Sequence, residues 1–270
     1  MTEKVSQSRS KFVASAAICA ALYAIVNALT ATLRTPWGVG EFRPGVLIPG
    51  FFAIVAGPIP AAVGAAVGSF VGDMISLVPS GASTPALALF AGAPGNFLGF
   101  LVIGYVYEKM KTWKGFILGT TSGLFVGNLW AAAAVVYIAG LPNSLILGLL
   151  LFWFGTMFPF VVIFVPALVR YLRPFASSLA VGREYPTIIE PKKKVLWTWS
   201  LLVALLMLGA LAVLLLSQAN LVSSSGGALA WELLFGVSAI AVLAVGAFIP
   251  QRAQNTSSGD DSKTSSEIAQ

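Results

Sequence analysis

Residues 41–73 read EFRPGVLIPGFFAIVAGPIPAAVGAAVGSFVGD, and this stretch decides the class of fold. It is hydrophobic enough for a bilayer, yet it carries Glu41, Arg43 and Asp73. An ionisable side chain at the centre of a membrane helix costs roughly 2.5–3.5 kcal/mol on insertion scales. Such residues persist where they line a polar cavity or pair with one another. Gly64, Gly68 and Gly72 recur at every fourth position of the same stretch. One helical face is therefore bare of side chains and admits a close neighbour. The reading is a tightly packed helical bundle with a charged pocket near one surface.

The rest of the chain agrees. Of 270 residues, 57% are apolar and 10% charged, against roughly 45–50% and about 25% in soluble domains. The apolar runs are continuous rather than alternating, which selects helices over a closed barrel. The expected fold class is an all-α polytopic membrane protein. The net charge of +6 comes from short clusters between apolar runs, where it orients the chain rather than binding nucleic acid. There is no histidine, which removes imidazole proton relays, His triads and most zinc sites. Cys19 is the sole cysteine and reads as a small apolar filler, so no disulfide within the chain, metal site or cofactor site is expected. No G-x-x-x-x-G-K-[ST] occurs, so the chain does not hydrolyse ATP through a P-loop. Nothing points to an enzyme.

Residues 1–11, with Lys4, Arg9 and Lys11, read as a polar N-terminal segment. Apolar runs follow at 12–33, 46–56, 59–78, 85–107, 115–139 and 145–169, making a six-helix bundle over 12–173. The first run is too long for a signal peptide and reads as a retained helix. A basic linker (174–194), two additional transmembrane helices within 195–250 and a disordered polar tail (251–270) complete the chain. Lys and Arg concentrate at 4–11, 109–114, 170–194 and Arg252, and are absent from 79–84, 140–144 and 217–227. The positive-inside rule then gives a multi-pass plasma-membrane protein with both termini cytoplasmic. Eleven helical residues at 46–56 cover only about 16 Å of a core of about 30 Å. That run is either a short crossing or re-entrant, and both satisfy the parity of the charges.

In this orientation Arg34, Trp37, Glu41, Arg43 and Asp73 fall on the outer side. Arg34 and Arg43 read either as interfacial anchors, with Glu41 solvated, or as parts of a site. Asp73 lies inside an apolar helix and needs a partner, with Arg43 or Arg34 the obvious one. A structural ion pair and a ligand-binding charge both fit it. Asn96 and Asn128 sit near the middles of the fourth and fifth spans, suited to an interhelical hydrogen bond or to a polar ligand. Trp130, Trp153 and Tyr137 offer rings for stacking, or else plain packing. Ala16, Ala20, Ala24 and Ala28 form a smooth stripe on the first helix, and pattern alone favours internal packing over an external dock.

The polar first loop, the stretch FRPGVLIPGFFAIVAGPIPAAVGAAVGSFVGD and the alanine stripe together resemble the substrate-binding S components of energy-coupling factor (ECF) vitamin transporters. The resemblance covers residues 10–173, and the two helices after Arg173 depart from it. It implies a six-helix protein that captures a vitamin or related micronutrient from outside, a riboflavin-like heteroaromatic compound among the candidates. Its partners would be a transmembrane coupling protein and two ATPase subunits. Ala16, Ala20 and Ala24 would form the docking face, and Arg34 to Arg43 the lid loop. Asp73, Asn96 and Asn128 would line the pocket. Two other readings stay open: a self-sufficient secondary transporter with Asp73 as a cation site, and a structural membrane protein without a small ligand. The near-zero formal charge of Arg34, Arg43, Glu41 and Asp73 taken together favours a neutral or zwitterionic ligand.

Overall fold

The computed structural model describes residues 2–35, 37–81, 83–180 and 184–186. The two additional helices expected within 195–250, the tail and most of the basic linker lie outside the described residues. Within them the chain is helical, with no strand beyond an isolated antiparallel bridge between Arg34 and Glu41.

Helix α1 spans Thr2–Thr30 and continues without a break through the polar N-terminal segment. A 3-10 turn, Pro44–Val46, leads into the short α2, Leu47–Val55. Helix α3 is Pro58–Ser80, with a proline in its first turn where no amide donor is missed. The three-residue α4, Pro85–Leu87, runs through a π-helical turn, Ala88–Gly92, into α5, Ala93–Met110. Helices α6, Trp113–Ala139, and α7, Leu145–Tyr171, follow. The short α8, Arg173–Ala176, and a 3-10 turn, Ser177–Leu179, come next. Five of these rods, 9–30, 58–77, 85–110, 113–139 and 145–171, are long and apolar enough to cross a membrane.

The run at 46–56 is not of that kind. Nine residues of α2 rise about 14 Å, and the preceding 3-10 turn adds about 6 Å, short of the roughly 30 Å of hydrocarbon. Every residue from Pro49 to Val55 is buried. The element therefore lives inside the bundle, wrapped by the long helices rather than by lipid. Its course follows from its neighbours. Gly64, Gly68 and Gly72 of α3 lie against Ala16, Ala20 and Ala24 of α1, in ascending order. Helices α1 and α3 are thus parallel, and residues 31–57 must return the chain across the bundle between them. Gly57 makes the reversal into α3, at φ +103°, a region closed to residues with a Cβ.

The alanine stripe is consequently an internal seam. A Cβ at Gly68 would sit 2.7 Å from the Ala20 carbonyl oxygen, and one at Gly64 2.9 Å from that of Ala16. Ala16 and Ala24 are buried. Ala16, Ala20 and Ala24, expected on an external docking face, lie in this structure against Gly64, Gly68 and Gly72 of α3. Helices α5 and α6 close in the same way, antiparallel, with Gly95 against Gly127 and Gly99 against Gly123.

These directions sort the loops. The start of α1 with Arg9 and Lys11, the α5–α6 turn with Lys109, Lys111 and Lys114, and the end of α7 with Arg170 and Arg173 share one end of the bundle. Loops 31–43, 81–84 and 140–144 share the other, where Arg34 and Arg43 are the cations among the described residues.

Candidate functional site

Loop 31–43 is an ordered clip. Phe42 N–H donates to the Leu33 carbonyl at 2.7 Å and Thr35 N–H to that of Gly40 at 3.1 Å, with the Arg34–Glu41 bridge between them. The Thr35 hydroxyl donates to the Val39 carbonyl at 2.6 Å, tightening the turn. Trp153 of α7 fastens the clip to the bundle, its indole N–H donating to the Glu41 carbonyl at 3.0 Å. Gly40, at φ +75°, lets the indole ring slide beneath; a Cβ there would lie 2.5 Å from Trp153 Cζ2.

This clip delivers Arg43 into the helices. Its Nη2 donates to Asp73 Oδ1 at 2.6 Å and its Nη1 to the Ser69 hydroxyl at 2.8 Å. Glu41 Oε2 stands 3.9 Å from the same guanidinium. Both carboxylate residues are buried, at 1% exposure. Asn96 of α5 extends the network: its Nδ2 donates to Ser69 Oγ at 3.1 Å and to the Gly92 carbonyl at 2.8 Å. The Tyr23 hydroxyl of α1 donates to Asn96 Oδ1 at 2.8 Å. Four elements thus meet in one polar layer.

The π turn belongs to this layer. π turns recur at functional sites because the extra residue shifts the helix face and frees backbone groups. Here Asn96 takes up the Gly92 carbonyl, and the Trp130 indole N–H donates to that of Phe90 at 3.0 Å. Gly92 itself faces Asp73: a Cβ would lie 2.8 Å from Oδ2. Any side chain there would push the carboxylate off Arg43.

Beneath the clip lies a cavity of about 50 Å³, lined by Glu41, Arg43, Asp73, Asn96, Asn128, Trp153 and Met157 and by small residues of α5 and α6. It accommodates on the order of four waters at about 10–15 Å³ each. Asn128 is 7% exposed, and its Nδ2 has no hydrogen-bond partner. A buried amide left in that state costs about 1–3 kcal/mol, so this group waits for an acceptor.

Of the expected site residues, Glu41, Arg43, Asp73, Asn96 and Asn128 come together around this cavity. Three do not. Arg34 is exposed, its guanidinium beside Gly81 on the outside of the clip. Trp37 packs edge-on against Phe152, ring centroids 6.2 Å apart. Trp130 is half exposed on the outer surface of α6, tied to the π turn. Tyr137 also points outward, 72% exposed. Trp153 is the aromatic that reaches the cavity. Ser69 and Tyr23, which hold the network together, were not singled out from sequence. Ser69 precedes Asp73 by one helical turn, and that spacing was the available signal.

With Arg34 outside, the ionisable groups lining the cavity are two carboxylates and one guanidinium. Their formal sum is −1, not near zero as expected with Arg34 included. Such an arrangement offers charges and hydrogen-bonding groups to a small polar solute, in a setting where water competes little. Compared with known protein families, with curated proteins and with solved structures, the chain matches none.

Proposed function

We propose that this chain is a solute-capturing membrane subunit of an ECF-type importer, taking a vitamin or related micronutrient from outside the plasma membrane. The observation that carries the reading is the buried Glu41–Arg43–Asp73 layer opening onto a cavity under an ordered clip. A structural ion pair has no need of an adjoining cavity or of the unpartnered amide of Asn128. Membrane-length helices around it support the membrane setting. The basic end of the bundle would face the cytoplasm and the clip the outside, by the positive-inside rule. Energy would come from a coupling membrane protein and two ATPase subunits, since the sequence has no P-loop of its own. A vitamin-sized ligand needs about 300–1,000 Å³, so it would enter only with the 31–43 clip lifted, which breaks the Trp153–Glu41 hydrogen bond.

Native mass spectrometry of the full chain purified from its own host tests the proposal. The expected result is a small-molecule adduct that is absent from Asp73→Asn, with co-purifying ATPase subunits in mild detergent. A chain that carries no adduct in any preparation and co-purifies with no ATPase overturns it.

A further inference from the structure

The proposed binding role leaves the ligand's chemistry open, and the two asparagines of the cavity differ in a way that constrains it. Asn96 and Asn128 both line the cavity. Asn96 is fully engaged: its Nδ2 donates to Ser69 Oγ at 3.1 Å and to the Gly92 carbonyl at 2.8 Å, and its Oδ1 accepts from the Tyr23 hydroxyl at 2.8 Å. It belongs to the frame of the site. Asn128 is 7% exposed, and its buried Nδ2 has no acceptor. Buried amide donors are almost always paired, so an unpaired one beside a cavity marks the place of an absent acceptor.

The neighbours of that donor set what the acceptor is attached to. Leu124, Asn128, Ala131 and Val135 follow one another at helical spacing along one stripe of α6, and all four line the cavity. Asn128 is the polar member of that stripe. From α7 the cavity receives Met157 and Trp153, and the Trp153 indole N–H already donates to the Glu41 carbonyl at 3.0 Å. On this side a ligand therefore meets hydrocarbon, a thioether and an indole ring around one free amide donor. An ionised group would lose its hydration there with no counter-charge on the same wall. A neutral acceptor loses far less and gains the hydrogen bond.

Resting on the binding role above, we infer that the part of the ligand seated against α6 and α7 is an apolar group carrying one neutral hydrogen-bond acceptor, a carbonyl oxygen or an unprotonated ring nitrogen. Asn128 Nδ2 donates to it. Asn128 is thus the specificity-determining asparagine, and Asn96 holds the layer around Ser69 in place. The cavity, about 50 Å³, admits about four heavy atoms of such a group before the clip moves.

Acetone and isobutene are the probes, alike in shape and size and different in one carbonyl oxygen. The full chain in lipid nanodiscs, isotope-labelled at its asparagine side-chain nitrogens, shows the Asn128 amide by nuclear magnetic resonance, assigned by its loss in Asn128→Leu. Acetone should shift these amide protons downfield and saturably, with half-saturation at least tenfold below that of isobutene. Equal responses to the two probes overturn the acceptor. Amide protons that move for neither probe and exchange magnetisation with water show a solvent site only, and overturn it too. A second arm needs no ligand. Without added solute, Asn128→Leu should unfold at a midpoint no lower than wild type, because it removes an unpaired donor, whereas Asn96→Leu should unfold at a lower one, because it loses three hydrogen bonds. A midpoint lowered as far by Asn128→Leu as by Asn96→Leu overturns the inference. Should leucine prove too bulky to fold, Asn128→Ala takes its place in every arm. A host-derived adduct that Asn128→Leu retains overturns this inference and leaves the binding role standing. No adduct in any preparation, with no co-purifying ATPase, overturns the binding role and this inference with it.

Discussion

Asp73 and Glu41 are both buried carboxylates beside one guanidinium, yet they should differ sharply when neutralised. Asp73→Asn removes the charge of the hydrogen-bonded partner at 2.6 Å, whereas Glu41→Gln removes that of an ion-pair partner at 3.9 Å. At an effective dielectric of 20 the gross attractions are about 6 and about 4 kcal/mol, before desolvation. The net effects diverge further. Losing Asp73 strips the guanidinium of its charge-assisted hydrogen bond, and breaking a buried pair from one side typically costs about 3–5 kcal/mol. Losing Glu41 leaves the closer Arg43–Asp73 pair intact. It also spares the backbone carbonyl that accepts from Trp153. Asp73→Asn should therefore be less stable than Glu41→Gln by at least about 2 kcal/mol. Arg43→Gln combined with Asp73→Asn should cost less than the sum of the two singles. The assay is reversible unfolding in mixed micelles, read by tryptophan fluorescence, for the wild type and the four variants. Equal destabilisation by Asp73→Asn and Glu41→Gln would refute the assignment of Asp73 as the principal partner. Additive single effects would refute the pair itself.

Four further outcomes are expected. Gly68→Leu should lower stability by about 1–3 kcal/mol through overpacking, because its Cβ meets the Ala20 carbonyl. Ala20→Trp should fail the same unfolding assay, and a stable, monodisperse Ala20→Trp would refute the α1–α3 seam. Trp130→Phe should leave native-mass-spectrometry ligand retention unchanged and cost about 1 kcal/mol for its single hydrogen bond, since the ring lies outside the cavity; loss of the adduct would bring Trp130 back into the site. In cells expressing a Cys19→Ala chain, an impermeant maleimide should label a cysteine placed at 143 and not one at 112. The reverse pattern would invert the proposed orientation.

Much of the candidate site was legible before the fold. Asp73 in an apolar helix had to find a cation, because no membrane-buried carboxylate stays unpaired at acceptable cost. That demand pointed to Arg43, and the two lie 2.6 Å apart. Asn96 and Asn128 were suspect for the same reason, and both reach the polar layer or its cavity. What failed was the choice among equivalents. Arg34 and Arg43 are alike in composition, and the clip sends one inward and the other outward. Trp130 and Trp153 are alike too, but only Trp153 faces the clip.

The division has a physical basis. Hydropathy, charge spacing and the four-residue repeats of glycine and alanine are local quantities, and they determined an all-helical, membrane-class chain with close helix seams and a polar layer near residue 73. Which small-residue stripe meets which depends on helix direction. A stripe of alanines has the same pattern whether it faces a neighbour or a partner, and only the parallel register of α1 and α3 joined it to Gly64, Gly68 and Gly72. The inward course of α2 is likewise non-local, because its length is too short for lipid and its burial comes from the helices that wrap it. The charge of the cavity depends on the path of the 31–43 clip, whose backbone pairing turns Arg43 toward Asp73 and leaves Arg34 outside.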